Sequence, residues 1–186
     1  STAGLLETQG ARVLPQPSEV VSLDLAHLTL AIGRPLCHMR LEPETRFPLE
    51  FVAKVQDCIF LKSQGIPGDT QGLTIFEQQY GAGVDSTRYR PYLSGSGNYY
   101  PDDTVLLRIS PIGNPTTAQE YTLRNRHEAR QEKWYDEQPS PGMVMWRQLP
   151  ASDIPVERQS KIDYQLEDSP DNPAGQAGFD PQQLPD

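Results

Sequence analysis

The sequence has few of the residues that build metal, redox or nucleophilic sites. Its 186 residues include three histidines, His27, His38 and His127, and two cysteines, Cys37 and Cys58. The histidines do not recur at metal-site or triad spacings, and no CxxC or HxxxH pair accompanies the cysteines. Glycine-containing segments also lack the GxGxxG and GxxxxGK spacings of phosphate-binding loops. We therefore expect no metal, no cofactor and no catalytic residue.

An excess of positive charge is missing as well. The chain carries 16 Lys+Arg against 25 Asp+Glu, a net charge of -9. Binding to nucleic acid backbones or anionic membranes requires a positive field. No apolar run approaches the roughly 18 residues that a membrane-spanning helix needs. Nucleic acid and membrane insertion are therefore excluded from the expected partners.

Turn-forming residues are abundant by comparison. The chain has 18 Pro and 14 Gly, while hydrophobic residues make up 36%. This composition is typical of short strands joined by long loops. The length suits one domain with a real core.

The most strongly patterned stretch is 48–63. Its first half alternates apolar and polar residues, which predicts a strand with one face on the core. The apolar set is Leu49, Phe51, Ala53 and Val55. In a straight strand Asp57 would then share the buried face, so we expect a bulge or tight turn near Asp57.

Further strands are predicted on both sides of this stretch, and no internal repeat is evident. The residues predicted to form strands are 23–32, 36–41, 73–76, 105–109, 120–124 and 143–149. The strand at 120–124 returns antiparallel to 105–109 and precedes a short charged helix at 127–135. Thr117 and Glu120 also fit a capping box, so a helix starting near Ala118 competes with that strand, and strand and helix both stay open for 118–136.

These elements predict an all-β fold, mainly antiparallel, with at most one short helix. We expect a single β-sandwich or barrel-like domain at 23–150 with long loops. An extended N-terminal arm occupies 1–22, and an acidic, proline-rich C-terminal tail occupies 151–186.

The segment 80–103 loses periodicity and contains five of the eight tyrosines. Long aperiodic loops are usually functional or disordered, and Tyr, Gly and Ser together are typical of recognition loops. The alternative is a cover loop whose tyrosines pack over the core. The predicted binding residues are Tyr80, Arg88, Tyr89, Arg90, Tyr92, Tyr99 and Tyr100.

The tail and the cysteines lead to two further expectations. The tail carries too few large apolar residues to offset its ordering entropy, so we expect another chain to order it, with Tyr164 and Phe179 as main anchors. Cys37 and Cys58 are a candidate disulfide, which would stabilise by roughly 3 kcal/mol. A pair of buried free thiols is the equal alternative.

The predicted function is a non-enzymatic structural or interaction subunit of a larger assembly, such as an extracellular appendage, a virion or a multi-protein complex. Its partners are copies of itself or other subunits, contacted through the arms and the tyrosine-rich loop. The alternative is a secreted or periplasmic ligand-binding module, with carbohydrate as a candidate ligand. Both hypotheses favour an extracellular, periplasmic or virion location over the cytoplasm.

Overall fold

The computed structural model describes residues 6–9, 20–42, 50–62, 72–86, 90–148, 158, 160–175 and 177–178. In these residues eleven strands accompany one short α-helix, α1, at Arg126–Gln131. The strands are β1 Leu6–Gln9, β2 Val20–Ala26, β3 Thr29–Ile32, β4 Cys37–Leu41, β5 Glu50–Gln56, β6 Ile59–Lys62, β7 Thr74–Tyr80, β8 Tyr92–Ser96, β9 Val105–Pro111, β10 Gln119–Thr122 and β11 Tyr135–Gln138. Short 3₁₀ turns occupy Pro115–Thr117 and Lys161–Tyr164.

Among the described strands, seven of the eight pairings are parallel, and only β9 with β10 is antiparallel. The sheet orders are β2-β5-β8-β11, β3-β6 and β1-β4-β7-β9-β10. The chain runs β2, β3, β4 and then stacks β5, β6, β7 on them in the same order. A third coil follows with β8, a bridge from Tyr99 to Ile59, and β9. The domain is thus a parallel β-solenoid with three faces.

The prediction of a mainly antiparallel sandwich or barrel is therefore wrong, although the chain does consist mostly of strands with one short helix. Alternation of apolar and polar residues usually indicates an antiparallel sheet with one solvent-exposed face, because most parallel sheets are buried on both faces. A solenoid is the exception, since each parallel sheet has one face on the shared core and the other on the outside. β5 shows this alternation, with Phe51, Ala53 and Val55 buried.

A 13-residue motif recurs in the first three coils, at 20–32, 50–62 and 90–102, where the strand register pairs Val20 with Glu50 and Val52 with Tyr92. We number its positions 1 to 13. Positions 2, 4, 6, 9 and 11 form its inner row. Position 8 is a corner in the left-handed backbone region, occupied by His27 (φ 53°), Asp57 (φ 52°) and Gly97 (φ 72°). The turn predicted near Asp57 is confirmed, whereas the repeat was missed.

The core is a stack of these inner rows. At position 11, Phe60 stacks on Tyr100 with ring centroids 4.7 Å apart and planes at 9°. Between faces, Phe51 meets Phe76 edge-on at 5.5 Å. Aromatic pairs in such arrangements contribute about 0.5–1.5 kcal/mol beyond their buried area. The aromatic contacts therefore join neighbouring coils and neighbouring faces.

Several predicted elements agree with the structure. The strand predicted at 36–41 is β4, and the antiparallel return of 120–124 onto 105–109 is the pairing of β10 with β9. The charged helix predicted at 127–135 is α1, which is shorter. The alternative helix starting near Ala118 does not form, because β10 occupies Gln119–Thr122.

Other predicted elements differ. The single strand at 23–32 is two strands, β2 and β3, because the corner at His27 separates them. The aperiodic segment 80–103 contains β8, a central strand between β5 and β11. In 143–148 the structure has only an isolated bridge from Trp146 to Leu166, so the strand predicted there is absent from the described part of 143–149.

The described part of the tail packs on its own domain. Ala174 and Ala177 are buried against Ile59 and Tyr99 on the outside of the second face. The Gly178 amide donates to the Asp57 carbonyl at 2.7 Å. The described tail residues thus have contacts within the chain itself, and the expectation that another chain orders the tail stays a prediction. Of the two predicted anchors, Tyr164 is half-buried, while Phe179 lies outside the described residues.

Cys37 and Cys58 are buried free thiols, so the disulfide alternative is not realised. The reason is their placement on different faces of the solenoid. Cys37 starts β4 and pairs with Phe76, whereas Cys58 lies between β5 and β6. The Cys58 thiol donates to the Gln56 carbonyl at 3.3 Å.

Both thiols are expected to resist labelling in the folded protein. Burial raises the pKa of Cys37 from 9.0 to about 12 and also raises the pKa of Cys58. The reactive thiolate of Cys37 is therefore roughly a thousandfold scarcer below pH 9 than in a free cysteine. Titration with a thiol reagent, with and without denaturant, should label two thiols only after unfolding. A bridged pair would instead need reductant before it reacts.

Candidate functional site: the open end of the solenoid

The C-terminal end of the solenoid is closed by the chain itself. The fourth layer consists of β11, β10 and α1, and its inward side chains are almost fully buried. These side chains are Tyr121, Ala129, Trp134, Tyr135 and Glu137. The Trp134 ring meets Tyr121 edge-on at 5.3 Å, which fastens β10 to the segment before β11. A solenoid needs such a terminal layer, because an exposed core end would otherwise contact water.

The N-terminal end is open by comparison. In the described part of the chain, no further strand pairs with the outer edge of β2 or β3. Five apolar side chains of this first coil are only partly buried, although they belong to the same core. We call them the open-end row: Val21, Leu23, Leu28, Leu30 and Ile32.

Register pairing makes the contrast direct. Val21 pairs with Phe51, which is 1% exposed, and Leu23 pairs with Ala53, which is fully buried. Leu30 pairs with Phe60, which is 2% exposed. Side chains at the same motif positions are thus buried in the second coil and only partly buried in the first. The open end is therefore an exposed cross-section of the core.

The edge at this end carries little protection against pairing. Natural edge strands are usually blunted by lysine, proline, bulges or inward charges. The outer edge of β2 has Asp24 as its only charged residue, and β3 has none. On the third face, one strand does lie beyond the first coil, because β1 pairs parallel with β4. The edges of the first two faces are the candidate interaction surface.

The tyrosines predicted as a recognition surface lie on different faces. Tyr80 ends β7 and Tyr92 begins β8, both half-buried. Tyr99 is 6% exposed, and its hydroxyl donates to the Pro173 carbonyl of the tail. Tyr100 stacks inside the core. Arg88 and Tyr89 lie outside the described residues, so a binding role for this set stays a prediction.

Arg90 joins the 81–91 segment to the closed end. Its guanidinium carbon lies 5.6 Å from the centre of the Tyr121 ring, and its Nε is 3.6 Å from a Glu132 oxygen. It also donates to the Ser86 carbonyl at 3.3 Å. The Tyr121 hydroxyl donates to Glu132 at 2.7 Å. These contacts give Arg90 a structural role in the described chain.

A buried polar network joins the second, third and fourth layers. The Asn98 amide nitrogen donates to the Val55 carbonyl and to Glu137 Oε1, both at 2.8 Å. Asn98 Oδ1 accepts from the Cys58 amide at 2.9 Å. The Tyr135 hydroxyl donates to Glu137 Oε2 at 3.0 Å. Burial raises the pKa of Glu137, although these hydrogen bonds oppose that shift.

A polar cleft of about 430 Å³ lies beside the closed end. Tyr100 forms part of its wall, and exposed Asp102, Arg124 and Arg126 contribute charge. Arg126 uses one guanidinium nitrogen on the Leu123 carbonyl at 2.7 Å. This cleft could hold a small polar ligand and is the second candidate site.

Among the described residues, no group of three or more His, Cys, Asp or Glu side chains is placed to hold a metal ion. No helix there is long and apolar enough to cross a membrane. Comparisons with protein-family models, curated proteins and solved structures find no match to this chain. Functional inference therefore depends on the geometry of the solenoid.

Proposed function

We propose that this chain is a non-enzymatic structural or interaction module that joins a neighbouring protein through the open end of its solenoid. The observation that carries the proposal is the partly exposed open-end row beneath the fully buried inner row of the second coil. The other end of the same core is closed by β11, Trp134 and α1. A solenoid that is closed at one end and open at the other is suited to end-on attachment.

Energetics support a protein neighbour at this end. Fully burying one Val, Leu or Ile side chain contributes about 1.5–3 kcal/mol relative to exposure. Covering what remains exposed of the five open-end side chains would thus contribute several kcal/mol. The strand edges would add backbone hydrogen bonds, as in strand addition to a sheet edge. Contacts through the terminal arms and the tyrosine-rich loop are not required for this attachment.

The experiment is to place lysine at two open-end positions, Leu23 and Leu30, in one double variant. Both side chains are partly exposed, so the variant should remain folded, losing about 2 kcal/mol. In its native host, the tagged wild-type chain should elute from a sizing column in a complex of defined stoichiometry. The double variant should elute as a free monomer.

Met143→Lys with Ile162→Lys is the matched control, because these residues are 85% and 60% exposed away from the open end. This variant should keep the complex. The proposal is wrong if the wild-type chain is monomeric in extract and at high concentration. It is also wrong if both double variants associate as the wild type does.

A ligand-binding module is the second candidate, and the polar cleft favours it. Tyr100 offers an aromatic wall, while Arg124 and Arg126 offer hydrogen-bond donors for hydroxyl or carboxylate groups. Carbohydrate fits this chemistry. Arg124→Ala discriminates the two functions, since it should weaken oligosaccharide binding and leave the complex in the sizing experiment unchanged.

A further inference from the structure

The open end also specifies the chemistry of what would cover it, an inference that rests on the proposed function. The second coil stacks on the first, and the third on the second, with the same corner contact. The His27 amide donates to the Gln56 carbonyl at 3.0 Å, and the Asp57 amide donates to the Ser96 carbonyl at 3.0 Å. The acceptor is position 7 of the following coil each time. In the first coil that position is Ala26, on the open edge.

A layer that covered the open end would have three faces, and this chain already supplies the strand of the third face. β1 pairs parallel with β4, with Leu6 opposite Cys37 and Gln9 opposite Arg40. The first two faces of that layer would have to precede β1 in the order of the coils. A segment that covers β2 and β3 would therefore complete a layer to which β1 already belongs.

We propose that the open end binds one further parallel β-solenoid coil, presented by another polypeptide segment as two consecutive strands beneath β2 and β3. The segment would carry apolar residues at positions 2, 4, 6, 9 and 11, opposite Leu25 and four members of the open-end row, Val21, Leu23, Leu28 and Leu30. Its position 8 would be Gly, Asn, Asp or His, because these residues tolerate the left-handed corner best. Its corner amide would donate to the Ala26 carbonyl.

The chain's own second coil is a suitable probe, since it carries this pattern and already pairs in parallel beneath a following coil, the third. A labelled peptide of residues 50–62 with Cys58→Ser is titrated with the full chain, and binding is followed by fluorescence anisotropy. A control peptide exchanges the apolar and polar positions of its first strand. We expect binding to weaken at least about tenfold with the control peptide, and equally with the Leu23→Lys, Leu30→Lys protein.

Strand direction is read by disulfide trapping, which does not depend on the lysine variant folding. Ser22→Cys places an exposed thiol at position 3 of β2. A parallel peptide brings its own position 3 opposite, whereas an antiparallel peptide brings position 5. The native thiols are buried and should not compete. We expect the peptide with cysteine at position 3 to crosslink at least about tenfold faster than that with cysteine at position 5.

No peptide binding, equal binding of the control peptide, or faster trapping at position 5 would each overturn the parallel-coil inference. Faster trapping at position 5 would indicate an antiparallel neighbour, such as a second copy packed end to end. The proposed function fails separately. If the peptide fails while the complex still depends on Leu23 and Leu30, the open end is an interface for a different protein structure.

Discussion

Gly95→Ala is expected to destabilise the fold by more than about 3 kcal/mol. A Cβ atom at this position would lie 1.7 Å from the Val55 carbonyl oxygen and 2.7 Å from its carbon. Both are backbone atoms of β5, so the clash can be relieved only by separating β8 from β5. The backbone at Gly95 also has a φ of +144°, which side chains rarely adopt. Urea unfolding followed by circular dichroism measures the loss.

Gly83→Ala is the matched control, because Gly83 also has a positive φ, +79°, but nothing lies within 4 Å of its Cβ position. It should cost about 1 kcal/mol, the strain of the backbone conformation alone. The difference between the two variants isolates the close approach of neighbouring coils. Equal losses in the two variants would show that β8 does not stack tightly on β5.

The strand content was predictable because alternation reports burial on one face. The residues 50–56 and 105–111 alternate or are strongly apolar, and both are strands. Alternation does not report strand direction, since a strand with one buried face looks the same in a sandwich and in a solenoid. Direction depends on the connections between faces, which a local pattern does not contain.

The repeat was missed because its spacing changes and its inner row is chemically varied. The motif starts at 20, 50 and 90, so the intervals are 30 and then 40 residues. At the corner, His27, Asp57 and Gly97 share a left-handed backbone but not a residue type. Position 9 is Leu28, Cys58 and Asn98 in turn. The repeat could have been found by aligning the apolar positions of 20–32 with those of 50–62.

The candidate site was not predictable from residue types. The open-end row consists of ordinary core residues, and its exposure depends only on the position of its coil at the end of the stack. The tyrosine-rich segment has the composition of a recognition loop, yet Tyr99 and Tyr100 occupy motif positions 10 and 11 and pack on the coil beneath them. A tyrosine at such a position serves packing as readily as recognition.

The acidic residue Glu137 shows how a polar core position becomes acceptable. In β11 it pairs with Gly95, which follows Val55 in the inner row of position 6. A carboxylate buried there requires hydrogen-bond donors, because an unpaired buried charge is strongly unfavourable. Asn98 and Tyr135 supply them. Asn98 and Glu137 lie 39 residues apart in the sequence, so a local pattern does not connect them.

Asn98→Ala is therefore expected to destabilise the protein by about 4 kcal/mol, because it removes partners from three buried groups at once. The Cys58 amide and the Val55 carbonyl would lose their side-chain partner, and Glu137 Oε1 would lose its donor. Thermal and urea unfolding measure the loss. Asn114→Ala is the control, since the side chain of exposed Asn114 accepts from the exposed Thr116 hydroxyl through its Oδ1, and it should cost under about 0.5 kcal/mol.

A double-mutant cycle with Glu137→Gln separates the carboxylate from the backbone groups. Removing the charge should cost less in the Asn98→Ala background than in the wild type, because the abandoned carboxylate is then the least favourable buried group. We expect a coupling of about 1–2 kcal/mol between the two substitutions. Additive losses would mean that Asn98 stabilises the stack through Val55 and Cys58 alone, and that Glu137 draws its hydrogen bonds from Tyr135 and its other neighbours.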